Sequence, residues 1–450
     1  MMEEVREAEG FAHFFLSPFM WYDRYMKIHC IGIGGIGISA LARYYLSQGY
    51  SVSGSDASSS SLIEDLKKEG VEIFPSHAAS NIAPDVTHVV YTIAIPDSNE
   101  ELMEAKSRGG LSIKTYPQAL GELTKEKTTI AVSGTHGKTT TTAMMYYAMK
   151  ACGVNPTVIV GSLVKDEHGT RTNFIKGDSE YLIVEACEYK RSFLNLHPVH
   201  AVITNIDEDH LDYYRDIKDI QSAFDSFVDM IPVHGVLATH GNIVASSLCR
   251  VVNADAVDVT SVELSVLGNH NKQNAQLVIA LLKALHFDEA KIREGLAQFP
   301  GTWRRMEYKG KTLHGVPVYD DYGHHPNEIA ASIDALRGQY PQEDYHLVML
   351  FQPHLYSRTK ALLPQFVSVL KNVDEVYILP IYKAREEDTS VINEDSVVDA
   401  INQAHGHAVR MHSLADIPAY IESLTNKRSV VVNMGAGDAF DELNKVTFLA

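Results

Sequence analysis

The chain has 450 residues, 45% of them hydrophobic and 9% aromatic, enough apolar mass for several filled cores and too much for an intrinsically disordered chain. Its formal charge of -18, from 39 Lys+Arg against 57 Asp+Glu, repels polyanions and excludes bulk nucleic-acid binding, while a few local cations or backbone N–H groups can still hold a small phosphorylated ligand. No apolar run reaches the roughly 18 residues that span a bilayer, and Cys30, Cys152, Cys187 and Cys249 form no CxxC pair, which fits a reducing, cytoplasmic compartment.

Residues 1–25 begin with Glu3, Glu4, Glu7 and Glu9, opposite in charge to a secretory leader, and read as an extension or as an artefact of start-codon choice. From Met26 onward, short apolar runs alternate with amphipathic stretches, the pattern of βαβ units and parallel sheets. Strands are predicted at Ile28–Ile33, Tyr50–Ser53 and Val86–Ile93, with a helix at Ile38–Gln48. A second block opens with a strand at Thr128–Ser133 and a helix at Thr139–Cys152, followed by strands at Tyr181–Glu185 and Ala201–Asn205. A third block begins near Pro300. It holds strands at Val316–Tyr319, His346–Phe351, Glu375–Leu379 and Ser429–Met434, and a helix at Glu328–Leu336. Three α/β domains are expected: a Rossmann-like first domain, a central parallel sheet of the P-loop ATPase type, and a Rossmann-like third.

The run Gly32-Ile33-Gly34-Gly35-Ile36-Gly37 matches G-x-G-x-x-G between strand and helix, where bare backbone can approach a diphosphate at a helix N-terminus. A glycine-rich turn that merely packs helix on strand would show the same glycines. Asp56, at the end of the next strand, adds a carboxylate suited to a ribose hydroxyl and points to a ligand. NAD and UDP fit the motif equally.

Gly134-Thr135-His136-Gly137-Lys138-Thr139-Thr140 again follows a strand and opens a helix. It is shorter than the full Walker pattern but keeps the working parts. Its N–H groups can cradle phosphate, Lys138 can reach the outer phosphates, and the Thr139 hydroxyl can ligate Mg²⁺. Glu185 ends a neighbouring strand at the same sheet edge, as a metal-binding carboxylate should, and the cluster Asn205–His210 ends the next. His210 is a candidate second-metal ligand. Two phosphate sites suggest that one nucleotide is fuel and the other a handle on the substrate.

These motifs, with EACE (185–188), TNIDEDH (204–210), NHNKQN (269–274), RR (304–305), DDYGHHP (320–326), FQPHLYSRT (351–359) and MGAGD (434–438), resemble the Mur ligases, ATP-dependent enzymes that build the peptide of bacterial cell-wall precursors. His136 and Gly323 match the alanine-adding branch, and the absence of lysine from Asp219–Met230 agrees with it.

The resemblance implies an extension at 1–25, a UDP-sugar domain at 26–120, an ATP domain at 121–299 and an amino-acid domain at 300–450. It implies ATP, UDP-N-acetylmuramate and L-alanine as substrates, Mg²⁺ (with Mn²⁺ able to substitute) as cofactor, a monomer or homodimer, and closure of the third domain over ATP. Lys138 would contact the γ-phosphate. Thr139 and Glu185 would hold one Mg²⁺, and His210 would be associated with a second. Gly134, Thr135, His136, Gly137 and Thr140 would line the ATP phosphates, Asn271 and Asn274 the adenine side, Asp321 the ribose. Arg305 would bridge in from the third domain. Gly34, Gly35, Ile36, Gly37 and Asp56 would surround the UDP, and His354 and Arg358 the amino acid. Two positions depart from the family pattern: Cys187 replaces its commonest aspartate, and Leu355 an arginine often seen there.

Overall fold

A computed structural model describes residues 26–449 except 59, 211–212, 242, 244–246, 385 and 387–391, so the expected extension at 1–25 lies outside the described residues. The chain divides into two compact units, one ending at Leu120 and one beginning at Gly121.

The first unit is built on β1 (Lys27–Ile31), β2 (Ser51–Ser55), β3 (Glu72–Phe74), β4 (His88–Tyr91) and β5 (Ser112–Thr115), all parallel, in the order β3-β2-β1-β4-β5. The order turns outward in both directions from β1, so the loop after β1 opens at the switch point where such sheets bind ligands. β1 stops at Ile31, two residues short of expectation, because Gly32 turns the chain at φ 78. The helix Ile36–Ser47 then begins two residues earlier than predicted and buries Leu41, Ala42 and Tyr44.

In the second unit, β6 (Thr128–Ser133), β7 (Thr157–Lys165), β8 (Arg171–Ile175), β9 (Tyr181–Glu185), β10 (His200–Ile203), β11 (Val236–Thr239) and β12 (Arg250–Asn253) form a sheet in the order β12-β11-β10-β6-β9-β7-β8. Only the β7–β8 pair in it is antiparallel. β6 lies between β9 and β10, so the loop after β6 faces the ends of both neighbours. A further sheet holds β13 (Glu307–Lys311), β14 (Pro317–Asp321), β15 (His346–Phe351), β16 (Glu375–Ile378), β17 (Ala408–Arg410) and β18 (Ser429–Met434), ordered β13-β14-β18-β15-β16-β17 and parallel except for β13.

Both faces of the middle of that last sheet are covered, which is why β14, β15 and β18 are buried along nearly their whole length. Along β15, Leu347, Met349 and Phe351 enter one core with Ile333 and Phe366, while Val348 and Leu350 enter another with Ile417 and Leu443. Strand alternation alone sorts them. Three mostly parallel α/β sheets are thus present, as the sequence pattern predicts. The strands it does not reveal are chiefly short or at an edge, such as β3, β8, β12, β13 and β17.

Candidate functional site

The loop after β6 is held by the end of β10. Asn205 brackets the His136 peptide, its Oδ1 accepting from His136 N at 2.9 Å and its Nδ2 donating to His136 O at 3.0 Å, while Asp207 N donates to Thr135 Oγ1 at 2.9 Å. Gly137 has φ 84, and a Cβ there would lie 2.8 Å from Asn274 Oδ1. Both the conformation and the close approach therefore require glycine. The helix Lys138–Ala151 starts immediately after, presenting its N-terminal amides to the loop.

Lys138 is folded against this loop. Its Nζ donates to Gly134 O at 2.6 Å, Thr135 O at 3.0 Å and Glu188 Oε1 at 3.0 Å. Burial opposes the ammonium charge, but Glu188, Cys187 and Glu185 outweigh it and hold the lysine pKa above its usual value. Glu188 is buried and also faces His210 Nε2 at 3.7 Å. The sequence motif EACE contains Glu188, yet reasoning from strand ends selects Glu185 alone. The signal for Glu188 was its position on the turn that immediately follows β9.

Thr139 Oγ1 donates to Glu185 Oε2 at 2.9 Å, and Gly161 N donates to the same oxygen at 2.9 Å. Hydroxyl and carboxylate thus meet as expected. Among the described residues no group of three or more His, Cys, Asp or Glu is arranged to hold a metal by itself. A hydroxyl and one carboxylate fit Mg²⁺, which favours oxygen and completes its shell with phosphates and water.

A cavity of about 350 Å³ joins these groups to the second unit's other sheet. Its lining includes Thr135, His136, Gly137, Lys138, Thr139, Thr140, Glu185, Asn271, Asn274, Arg305 and Asp321. Four carboxylates (Glu185, Asp207, Asp321, Glu328) line it against two permanent cations, Lys138 and Arg305. A polyphosphate entering there would need additional positive charge. Gly134 lies within the same loop but outside that lining. His210, His354 and Arg358, on other segments, also lie outside that lining.

Arg305 reaches the cavity because the turn before β13 is unusual. Arg304 (φ 51) and Met306 (φ 48) are both left-handed without being glycine. The turn is over-determined. Arg304 is buried with its Nε 3.1 Å from Asp320 Oδ2 and its Nη1 3.1 Å from Gly437 O, and it also donates to Gly435 O. Met306 N donates to Asp321 Oδ2 at 2.7 Å, and Thr302 Oγ1 lies 3.3 Å from Thr140 Oγ1 at the start of the loop helix. Arg305 is left free to point at the cavity, 3.6 Å from Glu328 Oε1. Asp321 accepts from Met306 N and from Gly323 N at 2.6 Å, and burial pushes its pKa up to about 6 against the pull of Arg305. Glu328 is half-buried, which raises its pKa, but His324, Arg305 and two backbone N–H groups outweigh this and bring it down to about 2.

His354 and Arg358 lie together just after β15, with Arg358 Nη1 3.2 Å from His354 Nδ1. Burial, His324 and Arg358 lower the His354 pKa to about 4, so it is neutral at pH 7. Leu355 sits between them at φ 69. In the first unit, Gly34 N donates to Asp56 Oδ2 at 2.8 Å, and a Cβ on Gly34 would lie at that same distance from the carboxylate. Glycine loop and acid are therefore in direct contact.

Three family models match in chain order: "Mur ligase family, catalytic domain" over residues 27–128, "Mur ligase middle domain" over 132–244, and "Mur ligase, glutamate ligase domain" over 304–437. The chain is 40% identical over 447 residues to the UDP-N-acetylmuramate–L-alanine ligase of Clostridium acetobutylicum, covering 92% of this chain and 96% of that protein. It is 37% identical over 446 residues to the protein of the same name from Clostridium perfringens, covering 92% and 95%. Among solved structures it is similar to the UDP-N-acetylmuramate-alanine ligase of Thermotoga maritima, with a TM-score of 0.78 and 28% identity over 93% of this chain and 98% of that one. A murein peptide ligase from Psychrobacter arcticus shares the fold at a TM-score of 0.65 and 22% identity, over 94% and 100% of the two chains.

Proposed function

Because this chain belongs to the Mur ligase family, we propose that it joins L-alanine to the carboxylate of UDP-N-acetylmuramate with hydrolysis of ATP, a step in peptidoglycan precursor synthesis. The observation that carries the chemistry is the convergence of Lys138, the Thr139–Glu185 pair and Arg305 on one cavity.

A carboxylate does not react with an amine at neutral pH because its oxygen is a poor leaving group. In this reading a carboxylate oxygen of the sugar acid attacks the γ-phosphorus, the bond to the β–γ bridging oxygen breaks, and ADP departs. The alanine nitrogen then attacks the acyl carbon and expels inorganic phosphate, leaving the amide. Mg²⁺ held by Thr139 and Glu185 supplies positive charge beside the phosphates. Lys138 turns from Glu188 and the loop carbonyls to the γ-phosphate, and Arg305 approaches from the turn before β13, so charge developing in phosphoryl transfer is met by two cations.

Asn271 and Asn274 border the adenine side, and Asp321 the ribose. His210, 3.7 Å from Glu188, would serve a second Mg²⁺. His354, being neutral, accepts a hydrogen bond, and the Arg358 guanidinium pairs with the amino-acid carboxylate. Gly34–Gly37 and Asp56 hold the uridine diphosphate. Residues 26–120, 121–299 and 300–450 thereby serve the sugar nucleotide, ATP and the amino acid in turn.

Phosphate release measured with ATP, UDP-N-acetylmuramate and one amino acid at a time tests this. Fastest release with L-alanine is expected. No release with any amino acid would refute the reading, and release with a tripeptide but not with free alanine would move the chain to the peptide-recycling branch.

A further inference from the structure

Beneath the glycine loop of the first unit lies a polar network, fully buried at its centre, that the ligation chemistry does not use. His29 in β1 and Glu101 in the helix Glu100–Ser107 are both 0% exposed, with His29 Nε2 2.7 Å from Glu101 Oε1. The other imidazole nitrogen, Nδ1, lies 2.8 Å from Ser53 Oγ in β2. The second oxygen of Glu101 accepts from Ser55 Oγ and lies 3.1 Å from His77 Nδ1. One carboxylate thus ties β1, β2 and the segment after β3 to a helix across the sheet.

Ser55 is the last residue of β2, and its carbonyl holds the glycine loop: it accepts from Gly32 N at 2.8 Å and from Ile33 N at 3.0 Å. The next residue is Asp56, which takes the Gly34 amide. The hydroxyl of Ser55 is gripped from below by Glu101 while its carbonyl and its neighbour grip the loop above. A buried polar network contributes little net stability, since a well-packed apolar cluster of the same volume would serve as well. It does fix direction, because hydrogen bonds in a dry interior have definite geometry. An apolar cluster would leave the Ser55 side chain without a directional partner and the end of β2 to its backbone pairing with β1 and β3 alone.

We propose that Glu101 is a positioning residue for the sugar-nucleotide site, setting through Ser55 the place of Asp56 and of the loop Gly32–Gly37. This rests on the reading that the loop and Asp56 hold the UDP moiety. In Glu101→Gln the side chain brings a donor to face hydroxyl and imidazole donors, and the end of β2 loses its anchor. The expected result in the full-length enzyme is a rise of roughly tenfold in KM for UDP-N-acetylmuramate, with kcat and the KM for ATP within about twofold of the parent. Ser55→Ala, which removes one hydroxyl and leaves every backbone bond, should raise the same KM in the same direction and keeps the test open if Glu101→Gln does not fold. Asp56→Ala is the control for the underlying reading. If it leaves the sugar-nucleotide KM unchanged, that reading fails. If it raises that KM while folded Glu101→Gln and Ser55→Ala do not, the positioning role alone is overturned. A uniform loss of activity that tracks the fraction of folded protein, with no KM change, would overturn it as well.

Discussion

The turn Thr302–Met306 places two arginines side by side and sends them to opposite tasks. Arg304 is 2% exposed, and its guanidinium is spent on Asp320 and on the carbonyls of Gly435 and Gly437, with the Phe440 ring 4.5 Å away. Removing it strands a buried carboxylate, so Arg304→Ala should cost about 3–5 kcal/mol by chemical denaturation. Arg305→Ala should change stability by about 0.5 kcal/mol or less yet slow turnover on the order of a hundredfold, as losing one transition-state donor does. Equal effects on folding and rate in both variants would contradict this division. Lys138→Ala should stay folded and lose roughly a thousandfold or more in turnover; acyl-phosphate formation near the parent rate would refute the role given to its ammonium. Arg305, Lys138, Thr139 and Glu185 could be found in the sequence because each sits in or beside a motif. Glu101 could not: its partner His29 is 72 positions away, and only the strand order brings helix and strand together.

Strand β10 carries a titratable group with a defined sign. His200 begins it, and its Nδ1 accepts from Val236 N at 3.1 Å. Burial, helped by His234, lowers the His200 pKa to about 4. An unfolded histidine titrates near 6.5. Between these values the unfolded chain takes a proton that the fold refuses, so the stability His200 contributes is full above about pH 6.5 and is lost as pH falls toward 4. The contribution is roughly 3 kcal/mol at most. His200→Gln should flatten the fall of Tm across this interval, and an unchanged slope would show that other groups govern it. β10 was legible as a strand because HAVIT is apolar and sits between polar segments. β13, reading EYKGK, was not: an edge strand needs no apolar alternation, and its pairing to β14 is also shifted at Tyr308/Gly310.

At the level of the whole chain, the two compact units carry the two proposed phosphate sites separately, the glycine loop in one and the lysine loop in the other. Calorimetry should therefore resolve unfolding into more than one step. UDP-N-acetylmuramate should raise one step and Mg²⁺–ATP another, each by about 2.7 kcal/mol at a hundred times its Kd. A single transition shifted equally by either ligand would argue against that separation. The posture of Lys138 has a further effect on turnover. Its ammonium rests on three groups of the protein, two carbonyls and the Glu188 carboxylate, so any anion must displace an internal acid to reach it. A triphosphate can do so because it gains the loop amides and Arg305 at once. Orthophosphate offers one group in exchange for three. Orthophosphate is thus expected to compete only weakly for Lys138; turnover measured with added phosphate checks this, and strong inhibition at low millimolar phosphate would contradict it.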